Sequence, residues 1–132
     1  MKPTVSGLHH IALKARGEEE FLRVVAFYRD VLGLPVVRTW GEGDTSGAML
    51  AFNGGLMELS ATAPDAPRES IIRHVAFATQ DVDAFAERAR QAGFEIPMEP
   101  RDIVIPSAPP LSARIAFVRG VLGEEIELFW EK

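Results

Sequence analysis

The chain contains three histidines, His9, His10 and His74, and two of them stand in matching surroundings. His10 lies in the run His9-His10-Ile11-Ala12-Leu13, and His74 lies 64 residues further on in Arg73-His74-Val75-Ala76-Phe77. Two glutamates repeat the pattern, Glu58 in Met57-Glu58-Leu59-Ser60 and Glu127 in Ile126-Glu127-Leu128-Phe129, at a spacing of 69. There is no cysteine. Disulfides, thiolate zinc sites and cysteine nucleophiles are therefore excluded, and any metal must be held by nitrogen and oxygen. Two neutral imidazoles and two carboxylates suit one divalent ion, such as zinc, nickel, cobalt, manganese or iron, at bonds of roughly 2.0 to 2.2 Å. The expected metal ligands are His10, Glu58, His74 and Glu127.

Alternation along the strands decides which way these groups point. In a strand, residues two apart share a face. Ile11 and Leu13 form one side of the first segment, and His10 and Ala12 the other. Val75 and Phe77 oppose His74, Ala76 and Ala78 in the same manner. Met57 and Leu59 flank Glu58, while Ile126 and Leu128 flank Glu127. If the bulky apolar residues meet a helix layer, all four polar groups leave that layer for one concave cup. His9 is read as structural, either on the helix side with Ile11 or partly exposed at the strand start. Arg114, by alternation with Ile115 and Phe117, is expected to face the cup, where it could bind an anionic substrate.

The elements that carry these residues also repeat. Residues 8–15 read as a strand. Residues 18–32 read as an amphipathic helix with Phe21, Val24, Val25, Tyr28 and Leu32 at helical spacing, closed by Gly33. Pro35–Trp40, Gly47–Asn53 and Leu56–Ala61 read as short strands separated by hairpin signals. After a polar linker over 63–70 the order restarts, with a strand at 73–79, a helix at 81–92 ended by Gly93, and strands at 94–96, 112–118 and 124–130. Residues 97–110 hold five of the nine prolines and read as a long extended loop. The chain is thus expected to be one α+β domain of two paired βαβββ modules, about 5–62 and 71–132. Their curved mixed sheet would surround a metal-containing cup, with helices outside.

Composition narrows the function classes. A chain of 132 residues fits about one domain, and 47% hydrophobic with 25% charged residues is a globular balance. The net charge of -5 has the wrong sign for a phosphate backbone, so nucleic acid is not an expected partner. No run reaches the roughly 18 apolar residues of a membrane span, and the first residues lack the apolar core of a signal peptide, so no membrane partner and a cytoplasmic location are expected.

Taken together, the motifs His9-His10-Ile11-Ala12-Leu13, AFYRDVLGL (26–34), MELSA (57–61), RHVAF (73–77) and IAFVRGVLGEEIELF (115–129) resemble the vicinal oxygen chelate superfamily, which includes glyoxalases, bleomycin resistance proteins and dioxygenases. The motifs and their order cover nearly the whole chain. A ligand at the Glu58 position is most similar to glyoxalase I, in which two His or Gln and two Glu hold the metal. Extradiol dioxygenases and fosfomycin-resistance transferases are matched only by His10, His74 and Glu127. The resemblance implies a metal-dependent lyase or isomerase acting on a small substrate with vicinal oxygens through a metal-stabilised enediolate. Glu58 or Glu127 would be the catalytic base. It also implies a homodimer. Lys14 stands where glyoxalase I commonly has an arginine that contacts the glutathione carboxylate, which makes it a substrate-binding candidate. Rival readings within the superfamily are an epimerase, a thiol transferase acting on an antibiotic, a dioxygenase, or a metal-free drug-binding resistance protein.

Overall fold

The first strand, β1 (His10–Lys14), follows from the strict alternation of its five residues and is succeeded by a helix with three acidic side chains in its first turn. That helix, α1 (Gly17–Ala26), carries Glu18, Glu19 and Glu20 at its positive end and buries Phe21, Val24 and Val25. A computed structural model of the protein describes residues 9–63, 74–106 and 109–132. The expected helix over 18–32 does not stay α-helical to its end. Phe27–Val31 form a wider π turn, in which the Leu32 N–H donates to the Phe27 carbonyl at 3.2 Å. Phe27, Tyr28, Val31 and Leu32 are all buried in this stretch, so the apolar seam is broader here than in the preceding α-helical turns. Gly33 then ends the helix at φ 76°, in the left-handed region that a helix-terminating glycine supplies without a Cβ penalty.

Three strands complete the first unit: β2 (Val36–Trp40), β3 (Gly47–Phe52) and β4 (Gly55–Ser60). The Asn53-Gly54 turn closes the β3–β4 hairpin between the paired residues Phe52 and Gly55, as the sequence predicts. The strand order is β1-β4-β3-β2, with β1 parallel to β4 and the other pairs antiparallel. The second unit repeats this design with β5 (His74–Ala78), α2 (Val82–Gln91), β6 (Met98–Ile105), β7 (Leu111–Arg119) and β8 (Glu125–Glu131). Its strand order is β5-β8-β7-β6, again with one parallel pair, β5 with β8. The chain divides into these two units after Ala66. Each is a βαβββ module with a four-stranded mixed sheet, so the expected α+β class and the doubling hold. The linker expected at 63–70 lies almost entirely outside the described residues.

One strand contradicts the sequence reading. Residues 94–96 are not a strand, and much of the supposed loop at 97–110 is β6, eight residues long. Pro100 lies inside it, where the pairing with β7 shifts register between Met98 and Arg101. A proline lacks the N–H of a ladder, but β6 is an edge strand, and an edge or a bulge is where a sheet tolerates that loss. Counting prolines thus made a strand look like a loop.

Each unit has its own core. In the first, Leu50, Met57 and Leu59 are fully buried with Val24 and Phe27. In the second, Ile126, Leu128 and Val118 are buried with Val82, Ala86 and Ala89. Helix α1 contacts β4, and α2 contacts β6, β7 and β8. The apolar stripe of each helix therefore covers one face of its own sheet and leaves the other face for polar groups.

Candidate metal centre

The strand register sets His10 and Glu58 on the uncovered face of the first sheet. Ala12 pairs with Glu58 and His10 with Leu56 in the parallel β1–β4 ladder. His10 is thus a diagonal neighbour of Glu58, within side-chain reach. The His10 Nε2 lies 3.5 Å from Glu58 Oε2. The second unit repeats the placement, with Ala76 paired to Glu127 and His74 to Glu125. There His74 Nε2 stands 3.1 Å from Glu127 Oε2. In each unit the register sets the histidine and the glutamate on the face away from the buried apolar residues, as alternation predicts for that sheet. Met57, Leu59, Ile126 and Leu128 are buried, while the carboxylates between them turn the other way and meet an imidazole.

These spacings bear on whether the groups suit a cation. Around an ion with bonds of roughly 2.0 to 2.2 Å, adjacent donors stand roughly 2.8 to 3.6 Å apart, from a right-angled to a tetrahedral arrangement. Both His–Glu separations fall in that interval, and 3.5 Å is already long for a hydrogen bond. Each pair supplies one borderline nitrogen and one hard oxygen, the mixture that divalent first-row metals accept. Within either unit, no third His, Asp or Glu joins the pair among the described residues. Each unit therefore offers one His–Glu pair, two donors in all.

The two halves support their histidines differently. Phe117 pairs with Glu127 across β7–β8, and its ring meets His74 edge to face at 5.4 Å between centroids. The corresponding partner of Glu58 in the first unit is Met49. His9 precedes β1, is exposed, and brings its Nδ1 to 2.9 Å from His10 Nδ1. Glu127 is the most enclosed of the four groups, with 11% of its side chain exposed against 31% for Glu58.

Lys14 stays on the face of His10, two residues beyond Ala12, opposite Ser60. Arg114 does not share the face of His74. Its guanidinium donates from Nε to Asp83 Oδ2 at 2.6 Å, from Nη2 to Asp83 Oδ1 at 2.7 Å, and from Nη1 to Asp102 at 3.3 Å. Asp83 belongs to α2, so Arg114 points to the helix side. The expectation that it faces the cup is corrected for a physical reason. Both faces of β7 are apolar, with Ile115 and Phe117 on one and Ala116 and Val118 on the other, and it is Phe117 that accompanies His74. The carboxylates hold the Arg114 guanidinium above its ordinary pKa, and Arg114 in turn lowers that of Asp83; Lys132 and Arg114 together lower that of Asp102.

The sequence reading also passed over residues on the Glu58 face. Arg38 pairs with Met49, and Trp40 with Gly47, which puts both on that side of the sheet. The Trp40 indole covers Gly47 so closely that a Cβ there would come within 2.1 Å of the ring. The alternation Arg38-Thr39-Trp40, read together with the hairpin, carries that signal.

With the geometry in place, the likenesses to known proteins become informative. A model of the Glyoxalase/Bleomycin resistance protein/Dioxygenase superfamily matches residues 7–107, and the chain belongs to that superfamily. Among solved structures, the fosfomycin resistance protein FosX from Listeria monocytogenes, complexed with Mn(II) and sulfate, is 19% identical with a TM-score of 0.72, over 98% of this chain and 95% of that one. A putative glyoxalase family protein from Bacillus anthracis is 20% identical with a TM-score of 0.68, over the full length of both chains. A glyoxalase/bleomycin resistance protein/dioxygenase from Alicyclobacillus acidocaldarius is 18% identical with a TM-score of 0.67, over 96% and 92%. At these identities the likeness is one of fold. No curated protein matches the chain significantly. Among the described residues, no helix is long and apolar enough to cross a membrane.

Proposed function

We propose that the protein is a metal-dependent lyase or isomerase of glyoxalase I type, acting on a small substrate with vicinal oxygens. The observation that carries this reading is the duplicated pair, His10 with Glu58 and His74 with Glu127, at equivalent register positions and at donor spacings that suit one divalent ion. The ion, held by those four side chains, would act as a Lewis acid that acidifies the carbon next to the substrate carbonyl. Either Glu58 or Glu127 takes the proton from that carbon and returns it to the neighbouring one, leaving the atoms of the substrate rearranged and none lost. The enclosed position of Glu127 shields its carboxylate from bulk water. Lys14, on the same face as His10, offers a cation to an anionic arm of the substrate, a role that Arg114 is not free to take.

Because each unit supplies two ligands, the full set needs a pair from each. It is complete either within one chain or across a two-fold pair of chains. We place the protein as a homodimer, and light scattering at micromolar concentration checks this by giving twice the chain mass. Glu58 distinguishes the glyoxalase reading from a fosfomycin-type one, which calls on two His and a single Glu. The deciding experiment is an assay on methylglyoxal with several thiols, after reconstitution with Zn(II), Ni(II), Co(II), Fe(II) and Mn(II). Turnover with any pair supports the proposal. A metal-loaded protein inactive on every adduct shifts the assignment to an epimerase or a transferase acting on an epoxide.

A further inference from the structure

The face of the first sheet that α1 leaves uncovered carries more than the His10–Glu58 pair. One register row runs Ala12–Glu58–Met49–Arg38 across the four strands, and the next runs Lys14–Ser60–Gly47–Trp40. Arg38 therefore stands in the row of Glu58, two strands away, which at about 4.8 Å per strand is about 10 Å. Half-buried Met49 lies between them. Beside Met49 the Trp40 indole rests on Gly47, yet Trp40 stays 39% exposed. An aromatic ring over a strand glycine covers bare backbone, and that task alone asks nothing of the arginine next to it.

Arg38 is exposed, and it differs from most arginines of the chain. Arg29, Arg90, Arg114 and Arg119 each hold a carboxylate, whereas Arg38 has no hydrogen bond or ion pair among the described residues. Carboxylates are in surplus in a chain of net charge -5, but the one in its own row, Glu58, meets His10 instead. We propose that Arg38, Met49 and Trp40 form a specificity subsite for an aromatic arm that ends in a carboxylate. The substrate is then an aryl carbonyl compound whose acid group lies across the ring from the reacting oxygens. The guanidinium offers a planar fork to the carboxylate, the Met49 thioether a polarizable floor for the ring, and the indole a wall. Lys14 lies on β1, on the other side of Glu58, so the two cations serve opposite arms of a substrate centred near Glu58. The inference rests on the reading above that the reacting oxygens meet the His10–Glu58 pair.

The test is calorimetric titration of the full chain, metal-free and then with Zn(II), using three ketones. Para-acetylbenzoate carries ring and anion, para-acetylbenzamide the ring alone, and open-chain 6-oxoheptanoate the anion alone. The benzoate should bind roughly 10-fold or more tighter than the amide, and about 3- to 10-fold tighter than 6-oxoheptanoate. Arg38→Gln should abolish the first difference and leave the affinity for the amide unchanged. Arg23→Gln, which removes an exposed cation on α1, should change neither. Trp40→Leu should abolish the second difference while keeping the affinity for 6-oxoheptanoate, which shows that the face is still folded. Equal affinity for benzoate and amide, or equal losses in Arg38→Gln and Arg23→Gln, overturns the inference. The glyoxalase reading is judged separately, on thiol adducts of para-carboxyphenylglyoxal and of methylglyoxal with the metal-loaded enzyme. Turnover of both, with KM values indifferent to Arg38→Gln, overturns the subsite and leaves that reading standing. Arg38-dependent binding of the benzoate without turnover of either adduct supports the subsite and overturns the glyoxalase reading.

Discussion

Arg114 grips Asp83 with two parallel hydrogen bonds, Nε to Oδ2 at 2.6 Å and Nη2 to Oδ1 at 2.7 Å, and so ties β7 to the first turn of α2. This fork-to-fork pairing fixes both planes, which assigns the arginine to the fold. Arg114→Ala should lower the melting temperature at neutral pH by a few degrees at most, because Asp83 is largely exposed and solvent screens the pair. It should leave the KM of whatever substrate is turned over unchanged. The pH dependence follows from the lowered pKa values of Asp83 and Asp102. A carboxylate whose folded pKa is depressed contributes stability above its unfolded value, and loses it as pH falls through the folded one. The gap between wild type and Arg114→Ala should therefore be full at neutral pH and close only in acid, as pH falls below the ordinary aspartate pKa and through the depressed folded ones. Melting curves across that interval check it, and a gap that widens in acid contradicts the assignment.

The duplicated His–Glu pairs predict a stoichiometry. After reconstitution and desalting, elemental analysis should find about one divalent ion per chain, since no unit holds more than two of the four donors. His74→Ala should remove most of the affinity. The same change at His10 should do likewise, and to a greater degree than any substitution of His9. Two ions per chain would mean that each pair works as a separate site.

A mobile carboxylate base predicts a division between binding and rate. Glu58→Gln and Glu127→Gln keep an oxygen of similar reach but remove most of its basicity. At least one variant should retain metal while losing about 10² to 10⁴ in kcat. Parallel metal analysis and steady-state kinetics separate the two effects. Small, equal losses in two metal-replete variants would leave the carboxylates as ligands only.

Gly41 offers a test of the turn that places Trp40. It sits at φ 73°, and a Cβ there would lie 2.0 Å from the Thr45 carbonyl oxygen. Because the obstacle is backbone, the turn must open. Gly41→Ala should destabilise the protein by about 2 kcal/mol or more, combining left-handed strain with overpacking. Denaturant unfolding measures this. At Gly47 the three atoms nearest an added Cβ all belong to the Trp40 ring, so the clearer readout of Gly47→Ala is a changed indole fluorescence as the ring is pushed off the sheet.

Much of this protein is written locally. Alternation of period two placed Ile11, Leu13, Val75 and Phe77 opposite the histidines, and duplication made the directions of Glu58 and Glu127 mutually consistent, because a repeated module must bury the same face twice. Both βαβββ units, the Asn53-Gly54 hairpin and the glycines that end the helices follow from such short-range rules. Other features are absent from any local pattern. Strand β7 is apolar on both faces, so alternation separated Arg114 from Phe117 but could not say which of them meets α2; packing against Val82, Ala86 and Ala89 decides that. The prolines of β6 mark a loop in isolation and an edge strand once β7 pairs with it, since the tolerance belongs to the edge and not to the residue. The contact between His9 and His10 could not be read from adjacency either. Neighbours within a strand point apart, yet these two rings meet at the very start of β1, where His9 precedes the first strand residue. Local sequence encodes periodicity, whereas the choice between two equally apolar faces, and the position of a strand within its sheet, exist only when the sheet has formed.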